Sequence, residues 1–448
     1  MIPQDSFTVV AKIRAGSIDA LRSLLTTMNY ANCAGFADPD NPLVPFGDFK
    51  TIHFARFVVL ADNTLEDRAD YSQPAHDEPT SDGPTRKEPS CSWPTYFCFM
   101  VDCDGDADEL LTHMVQEANG LRELFGHCED YDKNADLLGW LRAHRVKPAA
   151  SYINWVGRSV VQVIEEARLH GLLREALSGI KAREPQRILA QLRSSVAPVA
   201  PLTPTPPTPL AWRIRNLTHM LFPLLLAAVC LAQFPVSTIA LLAVGLLLFF
   251  ITLRRHEQTD PIVDQPYECK KVEQLRKGED HDATNQYTAM GSIKPGRFRL
   301  WTEIVILYGV NWVARHIFTH GSIGRIGTIH FAHWVFLDQG RRGFFCSSYD
   351  GGHEAYMDDF INKAGFGLNV AFSSFMAYPT TDWLVAKGAW LEQEFKRFQR
   401  HHQIPTDVWY KAYPGLTARD LARNSRIRNG FEKATMSDDE IRRWLAEI

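Results

Sequence analysis

Ile52-His53-Phe54-Ala55-Arg56-Phe57-Val58-Val59-Leu60 returns later in the chain as Ile329-His330-Phe331-Ala332-His333-Trp334-Val335-Phe336-Leu337. Both are nearly continuous apolar runs, the pattern of a strand covered on its two faces. Self-similarity of this kind governs the fold, and further matches lie on either side. Upstream, Ile13-Arg14-Ala15-Gly16 corresponds to Ile293-Lys294-Pro295-Gly296. Downstream, Asp104-Gly105 corresponds to Asp350-Gly351, and Tyr152, Gly157 and Ser159 to Tyr410, Gly415 and Thr417. Four blocks in one order predict an internal duplication.

In the first half Ile18, Leu21, Leu24, Leu25 and Met28 recur at helical spacing, as do Leu110, Leu111, Met114, Val115 and Ala118. With strands over 53–60 and 96–101 the order reads β-α-β-β-α. A last strand near Trp140-Leu141, and near Trp383-Leu384-Val385 in the second half, would complete a ferredoxin-like unit. Helices cover only one face of such a sheet, so the other face should meet the partner repeat. The expected fold is α+β: two ferredoxin-like repeats forming a pseudo-symmetric α+β barrel, with an inserted transmembrane helical hairpin.

The expected boundaries are a first repeat over 5–180, a proline-rich linker over 181–212, the hairpin over 213–255, a connector over 256–284 and a second repeat over 285–435. Residues 63–93 interrupt the first repeat with acids, prolines and little apolar content, which predicts a disordered excursion.

No Asp, Glu, Lys or Arg occurs over 217–253. As a single helix this stretch would run about 55 Å, against a hydrocarbon core about 30 Å thick. A break at Gln233-Phe234-Pro235, where proline lacks the amide donor, gives two spans over 217–232 and 236–253. Arg213 and Arg215 precede them and Arg254 and Arg255 follow. By the positive-inside rule both soluble halves should then be cytoplasmic. A re-entrant hairpin in one leaflet leaves both halves on one side equally well.

Of the 448 residues, 48 are basic and 52 acidic, for a net charge of -4, which argues against a nucleic-acid binder. Eight cysteines with no CxxC pair read as free thiols, and the first residues carry no secretory pattern.

The second half contains His330-Phe331-Ala332-His333-Trp334, Ser348-Tyr349-Asp350-Gly351, Tyr356-Met357-Asp358-Asp359-Phe360-Ile361, Trp383-Leu384-Val385 and Trp409-Tyr410-Lys411-Ala412-Tyr413-Pro414. Over 321–430 it resembles a family of bacterial proteins with this two-repeat, membrane-anchored design. More distantly, the layout is similar to the dimeric α+β barrel superfamily, with its dye-decolourising haem peroxidases and chlorite-dismutase-like proteins. In those peroxidases a glycine-x-x-Asp-Gly motif supplies a distal acid. Asp350-Gly351 matches its last two residues, and Ser347 stands at the leading glycine. That resemblance implies haem, a peroxidase-like activity on an apolar small molecule, and Asp350 as distal acid.

Read from the residues, Asp350 would cap the helix that follows it, or act as an acid with Arg341 or Arg342 holding it ionised. His330 and His333 lie three apart on a strand and should point to opposite faces. His330 recurs as His53, which suggests a structural task, whereas His333 is replaced by Arg56 in the first half. His333, with Phe331 and Val335 on its face, is the first choice for a haem ligand, with His330 and His353 as the other cofactor-binding candidates. His316 and His320, spaced i, i+4, would share a helix face and could ligate a metal. The competing reading is a non-catalytic ligand-binding or scaffold module at the inner membrane face.

Overall fold

The computed structural model describes residues 1–448 apart from 32, 34, 62–68, 71–92, 133 and 264–268. The excursion expected over 63–93 lies almost wholly outside the described residues. The fold is α+β. Its main strands are β1 (Gln4–Lys12), β2 (Ile52–Leu60), β3 (Tyr96–Asp104), β4 (Ala150–Ile153), β5 (Thr284–Ser292), β6 (Ile329–Leu337), β7 (Arg342–Asp350) and β8 (Val408–Lys411). They form two four-stranded antiparallel sheets, ordered β1-β3-β2-β8 and β4-β6-β7-β5. The helices around them include α1 (Ile18–Thr26), α2 (Ala107–Glu117), α3 (Val160–Gly179), α4 (Pro185–Val196), α5 (Leu210–Gln233), α6 (Pro235–Thr259), α7 (Arg297–His316), α8 (His353–Phe372), α9 (Ala418–Glu432) and α10 (Asp438–Leu445).

The fourth strands are exchanged. β4, from the first half, pairs with β6, and β8, from the second half, pairs with β2 in the matching register: Ser151 opposite His333, Trp409 opposite Arg56. The strands expected near Trp140-Leu141 and Trp383-Leu384-Val385 are absent there. Asp136 caps a helix over Leu137–Ala143, whose spacing buries Leu137 and Leu141. Trp383 and Leu384 have positive φ, in the turn between two-residue strands.

β2 and β6 are buried almost throughout because each sheet has helices on one face and the other sheet on the opposite face. Ala55, Phe57 and Val59 point toward α1 and α2, while Val58 and Leu60 meet Val335, Leu337, Phe344 and Cys346 across the inter-sheet layer. Among the described residues no strand pair joins the two sheets, so the barrel is not closed there. The exchanged strands, four residues each, extend sheet edges without bridging from one sheet to the other.

The proline-rich stretch is less of a free spacer than its composition suggests. α4 packs Leu189, Leu192 and Val196 against Ile427 and Phe431 of α9 and Ile441 and Trp444 of α10. Beyond α4, Thr203 bonds Glu165 and Arg428, and Thr205 bonds Gln162. α5 and α6 meet at Phe234 and are each long and apolar enough to cross a membrane. Their windows are 0% and 6% buried, so the protein core does not account for their apolar character.

Candidate functional site: two histidine–aspartate pairs at one cleft

Each half carries a β-bulge at the same histidine, His53 in β2 and His330 in β6. A bulge adds one residue to the strand and re-aims its side chain. His330 and His333 therefore do not fall on opposite faces as simple alternation requires. His330 packs against Phe54 and Tyr413, and His333 reaches Asp102 on the other sheet, so both face the inter-sheet layer.

The bulged histidines meet the aspartates that end the third strands. His53 Nε2 donates to Asp104 Oδ1 at 3.0 Å, and His330 Nε2 to Asp350 Oδ1 at 2.7 Å. A carboxylate only accepts, so Nε2 carries the proton in both. The second carboxylate oxygens accept the first amide of a helix: Val160 N–H of α3 at 2.8 Å for Asp104, Ala418 N–H of α9 at 2.7 Å for Asp350. Such amides have no intrahelical partner, and the helix dipole favours a negative charge beside them. Gly157 and Gly415, with φ of +87° and +75°, turn the chain into these helices, and Ser159–Gln162 and Thr417–Asp420 close capping boxes. Asp350 is thus a helix-terminus acceptor, but for α9 and not for the helix that follows it. The first amide of α8, His353 N–H, goes to Asp280 at 3.2 Å.

The pairs differ at Nδ1. His53 Nδ1 accepts the Tyr413 hydroxyl at 3.0 Å, and burial pushes the Tyr413 pKa well above the usual phenol value, so that proton stays in place. The residue in the corresponding place of the first half is Trp155, which has no hydroxyl. His330 Nδ1 makes no hydrogen bond among the described residues. Both histidines line a small cleft of about 20 Å³ with Gln4, Trp155, Arg158 and Tyr413. That is room for about one water-sized group, and the cleft is partly open to solvent. Arg158 donates to Glu166 and to Ser425 while its Nε lacks a partner. Burial pushes Glu166 up to about 7, even though Arg158 and Arg428 favour its charged form.

His333 has no free nitrogen. Its Nε2 donates to Asp102 Oδ1 at 2.6 Å and its Nδ1 accepts the Ser151 hydroxyl at 3.0 Å, with 2% of the residue exposed. The corresponding contact in the other direction is Arg56 to Ser348 Oγ at 2.9 Å, supported by the Tyr287 and Ser347 carbonyls. These residues do not fit haem: the preferred ligand is saturated, and the cleft beside His330 is far smaller than a macrocycle. His353 cannot join them. It sits at the start of α8 on the helix-covered side, near Tyr287 and Glu279, and burial lowers it to about 3. Arg341 lies just before β7, at the opposite end from Asp350 and roughly 30 Å away at about 3.3 Å per residue, and rests on Trp93. It cannot hold Asp350 ionised.

α7 ends at His316, so His320 does not share its face. His316 bonds His219 of α5 at 2.8 Å, whereas His320 packs on Trp155. Among the described residues no group of three or more His, Cys, Asp or Glu converges as a metal site.

The cleft residues Tyr413, Trp155, Arg158 and Gln4 have no local signature. The one signal was the Tyr410/Gly415/Thr417 block, which brackets Tyr413 and marks the turn that delivers it. No family model, curated protein or solved structure matches this chain.

Proposed function

We propose that the chain is a membrane-anchored module that binds a small oxygen-bearing molecule in the cleft between its halves, with His330 as the group that meets it. The observation that carries this reading is the asymmetry at Nδ1. His330 is oriented by Asp350 and offers an unused lone pair, whereas the same atom of His53 is closed by Tyr413. Arg158 Nε adds an unused donor on the same cleft. A hydroxy acid supplies the matching donor and acceptor, its hydroxyl for His330 Nδ1 and its carboxylate for Arg158 Nε, whereas acetate, with no hydroxyl, serves as the comparison. In this reading the two halves are repeats of one ferredoxin-like unit, α5 and α6 anchor them in the bilayer, and the arginines flanking the hairpin keep both on the cytoplasmic side.

The test is thermal unfolding of the full chain in detergent with millimolar glycolate or glyoxylate, and with acetate as the comparison. A stabilisation by glycolate or glyoxylate that exceeds acetate's, disappears in His330→Asn and persists in His53→Asn supports the reading. A response to none, or one lost equally in both variants, leaves the two pairs as structural devices that tie the third strands to the helix termini.

A further inference from the structure

α7 is amphipathic in the inverted sense. Of its charged residues, Arg299 and Glu303 are 1% and 0% exposed and Arg315 is partly buried, with only Arg297 at its first position exposed, whereas Trp301, Val305 and Tyr308 are 63%, 66% and 52% exposed. Arg299 pairs with Asp260 at the end of α6. Burial pushes the Glu303 carboxyl up to about 8, against the opposing pull of Ser374 and Arg299. A helix of a water-soluble surface places these residues the other way round.

Its position relative to the hairpin supplies the second observation. Near its start Phe298 stacks on His256 and contacts Phe249 of α6; near its end Arg315 bonds Asn216 of α5 and His316 bonds His219. α7 therefore crosses both legs of the hairpin. The contacts nearest the tip, Phe249 and His219, stand about fifteen residues from Phe234, or about 22 Å, whereas His256 and Asp260, which meet Phe298 and Arg299, stand about 22 and 26 residues from it, so the N-terminal end of α7 reaches the level of Arg255. The shorter distance is less than the roughly 30 Å hydrocarbon core. Arg213 and Arg255, both exposed, stand about 21 residues from the tip, or about 31 Å. With those arginines among the headgroups, α7 lies across the hairpin at that level and just below it, the depth range where in-plane helices bury their apolar faces by about 5–10 Å.

We propose that α7 is a third membrane element, an in-plane helix whose Trp301, Val305 and Tyr308 stripe inserts at the headgroup–acyl boundary of the leaflet that the hairpin enters. This rests on the reading of α5 and α6 as a bilayer anchor. The occupant of the stripe is lipid because the stripe is continuous with the hairpin surface and carries no charge, and Trp and Tyr favour that boundary. Trp383, 44% exposed, contacts Phe250 and lies under Arg254, extending the aromatic level to the α6 leg.

The experiment reconstitutes the full chain in phosphatidylcholine–phosphatidylglycerol vesicles brominated at acyl positions 6,7 or 11,12. The fluorescence lost in Trp301→Phe isolates Trp301, and Val236→Trp reports the hairpin tip. The expected result is a Trp301 component quenched at least twofold more by the shallow bromines than by the deep ones. Three outcomes overturn the proposal. A Trp301 component that ignores bromine and is quenched by aqueous iodide places α7 in water. One shielded from both quenchers places it against a second protein copy. A tip probe that also ignores bromine removes the anchor itself, and so separates failure of that reading from failure of the in-plane helix.

Discussion

The two halves build the same histidine–aspartate–helix contact with different surroundings, and the contrast lies in a few atoms. In both, a bulged histidine donates to an aspartate whose other oxygen holds a helix terminus. In one, Tyr413 completes the histidine; in the other, Trp155 leaves it open to the cleft. The inter-sheet contacts diverge in the same way: Asp102 answers His333 with a carboxylate, while Arg56 finds only hydroxyls and carbonyls. Matching backbones thus fix where a polar group stands, and the identity of the facing residue decides whether that group is spent on stability or left available.

The strongest way to break the comparison is at the inter-sheet layer. Asp102→Ala strands a buried histidine and should cost about 3–5 kcal/mol, whereas Ser348→Ala removes one of several acceptors for Arg56 and should cost about 1 kcal/mol. Urea titration of the full chain in detergent measures both. Equal losses would mean that the two contacts are energetically equivalent despite their chemistry.

Buried groups in the two halves should also respond in opposite senses to pH. Glu166, in the first half, has its folded pKa raised from 4.5 to about 7, so its contribution is complete below pH 4.5 and is lost as pH rises through 7. His353 and His402, in the second half, are lowered by burial from 6.5 to about 3, so their contribution is present above pH 6.5 and is lost as pH falls toward 3. Glu166→Gln should flatten the alkaline limb of a stability–pH profile, by on the order of 2–3 kcal/mol between pH 5 and 8. His353→Asn should flatten the acid limb. A Glu166→Gln profile that still falls from pH 5 to 8 as in the parent refutes the assignment.

Asp104→Asn and Asp350→Asn each remove a charge from a helix terminus and a partner from a histidine, at about 1–2 kcal/mol apiece. Their stability losses should match, but only Asp350→Asn should weaken whatever binds at His330. Ligand-dependent thermal shifts on both variants separate the two effects. The finest change is Tyr413→Phe, which should cost about 1 kcal/mol and leave His53 Nδ1 as open as His330 Nδ1. The Nδ1 chemical shift of His53 should then move to that of His330 Nδ1; an unchanged His53 Nδ1 would mean that Tyr413 does not close it.

Much of this was legible from residue order. The repeated Ile-His-Phe-Ala segments located the second strand of each half, Asp104 and Asp350 marked the ends of the third, and Pro235 marked the break between α5 and α6. The fourth strands were missed because the apolar Trp140-Leu141 pair looks strand-like, while β4 and β8 are four residues long and pair with the distant half. The site was half legible: His330 and Asp350 came from the repeat, but their partners did not. Arg341 and His353 were close to Asp350 and His330 in the chain, yet a nine-residue strand and the two faces of one sheet keep them apart.

What the sequence determined alone were the local, periodic properties: strands apolar on both faces, a charge-free hairpin broken at a proline, and helix starts with capping residues. These depend on neighbours within a few positions. Only the tertiary structure decided that the fourth strands exchange, that a bulge turns His330 into the inter-sheet layer, that Asp350 holds α9 and not α8, and that α7 turns Arg299 and Glu303 inward. Each is a contact between residues far apart in the chain. Such contacts arise because buried carboxylates, imidazoles and helix amides must find partners wherever packing brings the chain together.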